Sequence, residues 1–157
     1  MPHRTVSVWT MSESTSSAIS ISADPAVVLD VIADFERYPD WVENMVSSQI
    51  LTQDDDGWPL TVRFEVDAGV LRDTYVLAYT WNVDQDGVGV VSWNLVESTV
   101  MRSLDGSYRL EAKNTLTAVT YTLRAEVKIP IVSMLRRKAE KGIVDQALRG
   151  LKRRCED

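Results

Sequence analysis

Polar and apolar positions alternate along most of the chain, and the period changes near its two ends. SAISISA (17–23) sets Ile19 and Ile21 against serines, the period of a strand with one buried face. Asp24-Pro25 then offers a helix start, because Asp suits the N-cap and Pro the first helical position. Val28, Ile32 and Phe35 recur at helical spacing, which predicts a helix that buries this face. Pro39 disfavours helical geometry at Tyr38, so the helix stops before it; Pro39 opens a second short helix carrying Trp41 and Met45. From residue 46 to about 128 the pattern is almost all strand. VSSQILT runs into the turn DDDG (54–57). LTVRFEVDA sets Val62, Phe64, Val66 and Ala68 against Thr61, Arg63, Glu65 and Asp67. LRDTYVLAYTWNV (71–83) puts Tyr75, Leu77, Tyr79 and Trp81 on one parity. A second turn, DQDG (84–87), leads to VVSWNLVE, SYRLEA and VTYTLRAEV. From about Ile131 the period is helical again, with Leu135, Ala139, Ile143, Ala147 and Leu151 every fourth residue.

The order is one strand, two short helices, about six antiparallel strands and one long helix, which is an α+β arrangement. A helix with one apolar stripe must lie on a sheet face. A sheet of about seven strands twists enough to curl around it. Gly142, Gln146 and Gly150 share the side of the stripe. Glycine inside a helix costs about 1 kcal/mol relative to alanine. Two of them there mean either very close helix-to-sheet contact or volume left open. Trp41, Trp81, Trp93, Tyr75, Tyr79, Tyr108 and Tyr121 supply large rings with polar tips. Such rings serve either as ordinary core or as the wall of a site that orients a guest.

Asp24-Pro25, DFERYPDW (34–41), YVLAYTWNV, VSWNLVE, LDGSYRLE and VTYTLRAEV, in that order before the last helix, carry a family likeness. Over roughly residues 17–152 the chain resembles the START-like, or SRPBCC, superfamily. It looks most like the polyketide cyclase/dehydrase and coenzyme-Q-binding-protein branch. The resemblance implies a helix-grip fold: a curved seven-stranded antiparallel sheet wrapped around the C-terminal helix, with two short helices after strand 1. It also implies a hydrophobic small molecule, such as a lipid, isoprenoid quinone or polyketide-like compound, held between sheet and helix for carriage or sequestration. In that topology Phe35, Tyr38 and Trp41 form a wall at the cavity mouth or else cap the core's end. The strands would contribute Phe64, Val66, Tyr75, Leu77, Tyr79, Trp93, Tyr108, Tyr121 and Leu123, and the helix Leu135, Ala139, Ile143 and Ala147. Two other activities occur in the superfamily: an aromatase/cyclase using the same cavity, and a ribosome-association toxin acting as an interaction protein.

Composition narrows the choice. At 157 residues, 45% apolar and 25% charged, the chain suits one domain, read as 17–157 after a flexible tail 1–16 in which Met11 is an alternative start. No apolar run approaches the roughly 18–20 residues of a membrane span, and the amino terminus lacks the apolar core of a secretory signal. The single cysteine, Cys155, fits a reducing compartment, so a cytoplasmic location is expected. Net charge is −6, but residues 131–157 hold eight Lys and Arg against four acids, while residues 1–130 hold nine against nineteen. This disfavours general nucleic-acid binding. The basic helix face, Arg136, Arg137, Lys138, Lys141 and Lys152 to Arg154, is either solvated or touches anionic lipid or RNA.

Catalytic sets are sparse. The one histidine, His3, lies in the tail, so no Ser-His-Asp device can form. Cys155 sits among acids that disfavour a thiolate. No residues have metal-ligand spacing, and the Asp54 and Asp84 turns lack the glycine and glutamate of an EF-hand loop; no metal or cofactor is expected. Asp67, Asp73 and Glu97 remain as carboxylate candidates. Asp67 shares parity with Arg63 and Glu65 and should face solvent. Asp73 shares parity with Tyr75; as a lone buried carboxylate it would have a raised pKa and could act as a base.

Overall fold

A computed structural model describes residues 14–69 and 72–157. The segment 1–13, with His3 and Met11, and residues 70–71 lie outside the described residues. The strands are β1 (Thr15–Ile21), β2 (Met45–Gln53), β3 (Pro59–Asp67), β4 (Arg72–Val83), β5 (Gly89–Ser98), β6 (Met101–Lys113) and β7 (Leu116–Val127). The helices are α1 (Pro25–Ala33), α2 (Tyr38–Trp41) and α3 (Ser133–Glu156), with a 3-10 turn (Phe35–Arg37) between the first two. The strands form one antiparallel sheet in the order β1-β7-β6-β5-β4-β3-β2, so the first strand closes against the last. The expected α+β helix-grip architecture is the one observed. β1 opens at Thr15, so Thr15 and Ser16 belong to the sheet and not to a tail.

The two Asp-rich turns are built alike. Asp54 Oδ1 accepts from the backbone N–H groups of Asp56 and Trp58, and Asp84 Oδ1 from those of Asp86 and Val88. These carboxylates are engaged in holding hairpins.

α1 starts where Asp24-Pro25 places it, although the Asp24 side chain makes no capping bond. Its predicted inner face holds: Val28, Ile32 and Phe35 are fully buried. The Tyr38 hydroxyl donates to the Ile32 carbonyl at 2.6 Å and satisfies an end group of this helix. α2 ends at Trp41, so Met45 opens β2 and does not ride the short helix as expected.

α3 is the largest departure. The face packed on the sheet is Arg136, Glu140, Val144, Leu148 and Leu151, so of the expected stripe only its last member, Leu151, is buried there. Leu135 and Ala139 are exposed. Glu140 is fully buried and is the reason for this register. Its Oε1 accepts from Thr15 Oγ1 at 2.7 Å, and its Oε2 accepts from the Ala125 N–H at 2.6 Å and from Arg136 Nη1 at 3.4 Å. One carboxylate thus joins β1, β7 and α3. A buried charge is tolerated only when paired and hydrogen-bonded, and this one is both.

Candidate ligand cavity

The core does not fill the space between sheet and helix. A cavity of about 280 Å³ lies there, just below the usual range of roughly 300–1,000 Å³ for small-molecule sites. β3 contributes Phe64 and Val66 to its wall, β4 contributes Asp73, Tyr75, Leu77 and Tyr79, and β5 contributes Trp93. Tyr108 comes from β6 and Tyr121 from β7; Ile143 and Ala147 close it from α3. Tyr38 and Trp41 stand at the hinge side. The strand parity that turns inward on β4 is therefore the odd one, from Asp73 to Tyr79.

Four candidates fall elsewhere. Phe35 packs beneath the cavity, its ring centroid 4.7 Å from that of Tyr79 and 5.0 Å from that of Tyr38. Leu123 is sealed in the core. Leu135 and Ala139 point to solvent because Glu140 turns the neighbouring face inward. Missed at the sequence level are Val42, Glu43, Asn44 and Met45 after the hinge, with Ala68, Met101, Leu104 and Gln146. Asp105 explains part of this omission. Its Oδ1 takes the Leu95 N–H in place of a regular ladder bond, an irregularity that alternation does not reveal. The signal for Gln146 was present, since it shares a helix side with Gly142 and Gly150.

The aromatic wall is continuous. Trp93 lies 5.7 Å from Tyr79 and 5.5 Å from both Tyr108 and Tyr121, and the last two are 4.7 Å apart. Gly106 makes room for it, because a Cβ there would stand 2.7 Å from the Trp93 indole. Among the described residues, the hydroxyls of Tyr75, Tyr79, Tyr108 and Tyr121 have no hydrogen-bond partner, in contrast to that of Tyr38. Burial above all, and neighbouring phenols next, push Tyr79 and Tyr121 well above the ordinary phenol range. Burial also raises Tyr75 and Tyr108. All four are protonated donors at neutral pH. The Trp41 Nε1 is buried without a partner.

Asp73 lines the cavity but is not a lone carboxylate. Ser98 Oγ donates to its Oδ2 at 2.6 Å, while Thr99 Oγ1 and the Thr99 N–H donate to its Oδ1 at 2.7 and 3.2 Å. Ser98 Oγ in turn accepts from the N–H groups of Val100 and Met101. Asp73 thereby fixes the β5–β6 turn that presents Met101 to the cavity. Glu97 is exposed on β5, and Asp67 pairs with Arg72 at 3.2 Å. Cys155 is half-buried, and burial followed by the Glu156 carboxylate pushes its thiol up to about 11. Among the described residues, no group of three or more His, Cys, Asp or Glu gathers as a metal site requires.

Outside the mouth, a polar groove of about 590 Å³ runs between the 39–45 segment and the end of α3, lined by Arg149, Arg153, Arg154, Asp40, Glu43 and Asp157. It is larger than the cavity but polar and balanced in charge, so the aromatic-lined space between sheet and helix is the better place for an apolar guest. The helix cations are also less available than their number suggests. Arg136 is buried against Glu140, Lys141 pairs with Asp145, and Lys152 pairs with Glu156.

A curved sheet gripping a terminal helix over an aromatic cavity defines a START-like domain. The chain belongs to the family described as polyketide cyclase/dehydrase and lipid transport, whose model matches residues 21–152. Its fold is similar to that of a START superfamily protein from Mycobacterium smegmatis, with 19% identity over 91% of this chain and 97% of that one and a TM-score of 0.83. A STAR-related lipid transfer protein from Xanthomonas axonopodis shows 17% identity over 90% and 85%, with a TM-score of 0.71. The Zhui aromatase/cyclase from a Streptomyces species shows 16% over 91% and 93%, with a TM-score of 0.69. At these identities the likeness is one of fold. No curated protein matches the sequence. Among the described residues, no helix is long and apolar enough to cross a membrane.

Proposed function

We propose that the protein binds and carries a hydrophobic small molecule in this cavity, and that the guest is a compact ring system bearing oxygen acceptors. The carrying observation is the set of four unpartnered phenol hydroxyls on an aromatic wall. A purely aliphatic guest would leave those donors unsatisfied, at a cost of about 1–3 kcal/mol for each one fully desolvated. A quinone head or polyketide-like ring offers flat faces for the indole and phenol rings and carbonyls for the hydroxyls. The family and the fold relatives support a hydrophobic guest; the hydroxyls support its oxygenation. The binding reading is favoured over cyclisation because Asp73, the candidate base, already accepts three hydrogen bonds that hold a turn.

Titration with a hydroxynaphthoquinone and with naphthalene tests the reading. Wild type should bind the quinone more tightly. Tyr108→Phe and Tyr121→Phe should each weaken quinone binding about fivefold and leave naphthalene unchanged, the loss of one ordinary hydrogen bond. Ala147→Trp should fill the space and abolish both. Binding of neither probe, or unaltered binding in Ala147→Trp, would remove the proposal.

A further inference from the structure

We infer that the Trp41 indole is a gate between the cavity and the outer polar groove, and that the guest enters from the groove past it. The inference rests on the reading of the cavity as a guest site. Trp41, Val42, Glu43, Asn44, Met45 and Gln146 line both spaces, so one layer of side chains stands between them. Arg149, Arg153 and Arg154 flank this layer on the groove side, and the rings of Tyr38, Phe64 and Tyr75 on the cavity side.

Within that layer the indole is the part able to move. The backbone around it is tied: the Val42 N–H donates to the Tyr38 carbonyl at 2.8 Å, and the Asp67 N–H donates to the Asn44 carbonyl at 3.0 Å. The half-buried Trp41 ring lies between Tyr38, its centroid 5.1 Å from that of the phenol, and α3 at Gly150. A Cβ on Gly150 would stand 3.3 Å from the indole Cε3 and 3.2 Å from the Trp41 carbonyl oxygen. An ordinary carbon contact needs about 3.5–4.0 Å, so the glycine is what gives the ring its seat against the helix.

An unmet hydrogen bond sets the balance of the gate. A buried tryptophan N–H ordinarily finds an acceptor, yet Trp41 Nε1 has none among the described residues. Seated, the ring covers apolar neighbours and forgoes that bond. Turned into the groove, which offers about 590 Å³, the N–H meets water and the wall opens. Each position gains what the other lacks, so neither is strongly preferred, which is the condition for a two-position gate. A guest in the cavity packs against the seated ring and shifts the balance towards closure.

Stopped-flow uptake of the hydroxynaphthoquinone tests the route. Opening precedes entry, so the observed rate in wild type should level off as quinone is added. Gly150→Ala crowds the ring out of its seat; the plateau and the release rate should both rise about threefold or more, and their ratio should change less. Fluorine-labelled tryptophan gives a second measurement, made first without a guest. The Trp41 signal, assigned by its loss in Trp41→Phe, should be broadened by exchange on the microsecond-to-millisecond scale and sharpen when quinone saturates the protein. A rate that climbs without levelling, or a sharp Trp41 signal that neither Gly150→Ala nor quinone alters, would overturn the inference. So would uptake slowed by Met101→Trp, on the β5–β6 side of the cavity, with Gly150→Ala matching wild type, since the guest would then enter there. Failure of wild type to bind quinone at all would remove the cavity reading, and the fluorine signal of the guest-free protein would still decide whether the ring moves.

Discussion

Single residues decide both the register of the fold and its response to pH. Glu140 is the clearest case, because three donors from three elements converge on its carboxylate. Glu140→Ala takes the acceptor from the buried Ala125 N–H and removes one partner of the Arg136 guanidinium, and should cost about 3 kcal/mol or more, read from denaturant midpoints. The phenols set the alkaline limit. Burial raises the values of Tyr38, Tyr79, Tyr108 and Tyr121 above those of the unfolded chain. The folded state therefore keeps protons that the unfolded state releases. Their contribution is fully present below the unfolded phenol value of about 10 and falls as pH rises beyond it, by up to about 1.4 kcal/mol per pH unit for each phenol. Unfolding above pH ~10 should be steep, with tyrosinate absorbance appearing together with loss of circular dichroism. Tyrosinate forming in a still-folded protein would contradict the burial assigned to these rings.

At the scale of elements, α3 shows what the sequence conveys and what it conceals. The helix itself was plain, as were all seven strands, because alternation and turn residues such as Asp54 and Asp84 agree with one another. Which side of α3 faces the sheet was not plain. A hydrophobic stripe at Leu135, Ala139, Ile143, Ala147 and Leu151 competes with one at Val144 and Leu148 that also ends at Leu151, and the second is continued by a buried ion pair instead of apolar residues. A polar pair at Arg136 and Glu140 reads as surface until its acceptors are seen. The two stripes predict different costs. Leu148→Ala should lose about 2–4 kcal/mol, and Leu135→Ala should change stability by no more than about 0.5 kcal/mol. The glycines divide the same way. A Cβ at Gly142 meets nothing within 4 Å, so Gly142→Ala should stabilise by about 1 kcal/mol. A Cβ at Gly150 would stand 3.2 Å from the Trp41 carbonyl oxygen, so Gly150→Ala should cancel that gain and alter quinone affinity through the hinge. Thermal midpoints of the four variants separate these outcomes.

For the whole molecule, the sheet-and-helix frame was legible and the mouth was only half so. Tyr38 and Trp41 are identified by their setting in DFERYPDW, whereas Val42 to Asn44 carry no pattern and Met45, read onto the short helix, lines the cavity from β2 because α2 ends one turn earlier than the spacing implies. A guest held there stabilises the fold by mass action, about 2.7 kcal/mol at a hundredfold excess over its Kd. The quinone should therefore raise the melting temperature in a concentration-dependent manner, and Ala147→Trp should melt at one temperature whatever is added.

The pairing of β1 with β7 has a bearing on how the molecule comes into being. Thr15 must find Leu123 and Glu140, the latter 125 positions away, whereas β2 to β7 meet neighbours a few residues off. Hairpins can zip up as synthesis proceeds; the seam between first and last strands must wait, and closing so long a loop slows it further. Until α3 leaves the ribosome the container has no lid, so the newborn chain has nothing to hold its cargo with. Filling belongs to the finished molecule, and a stalled translation product lacking α3 should emerge empty.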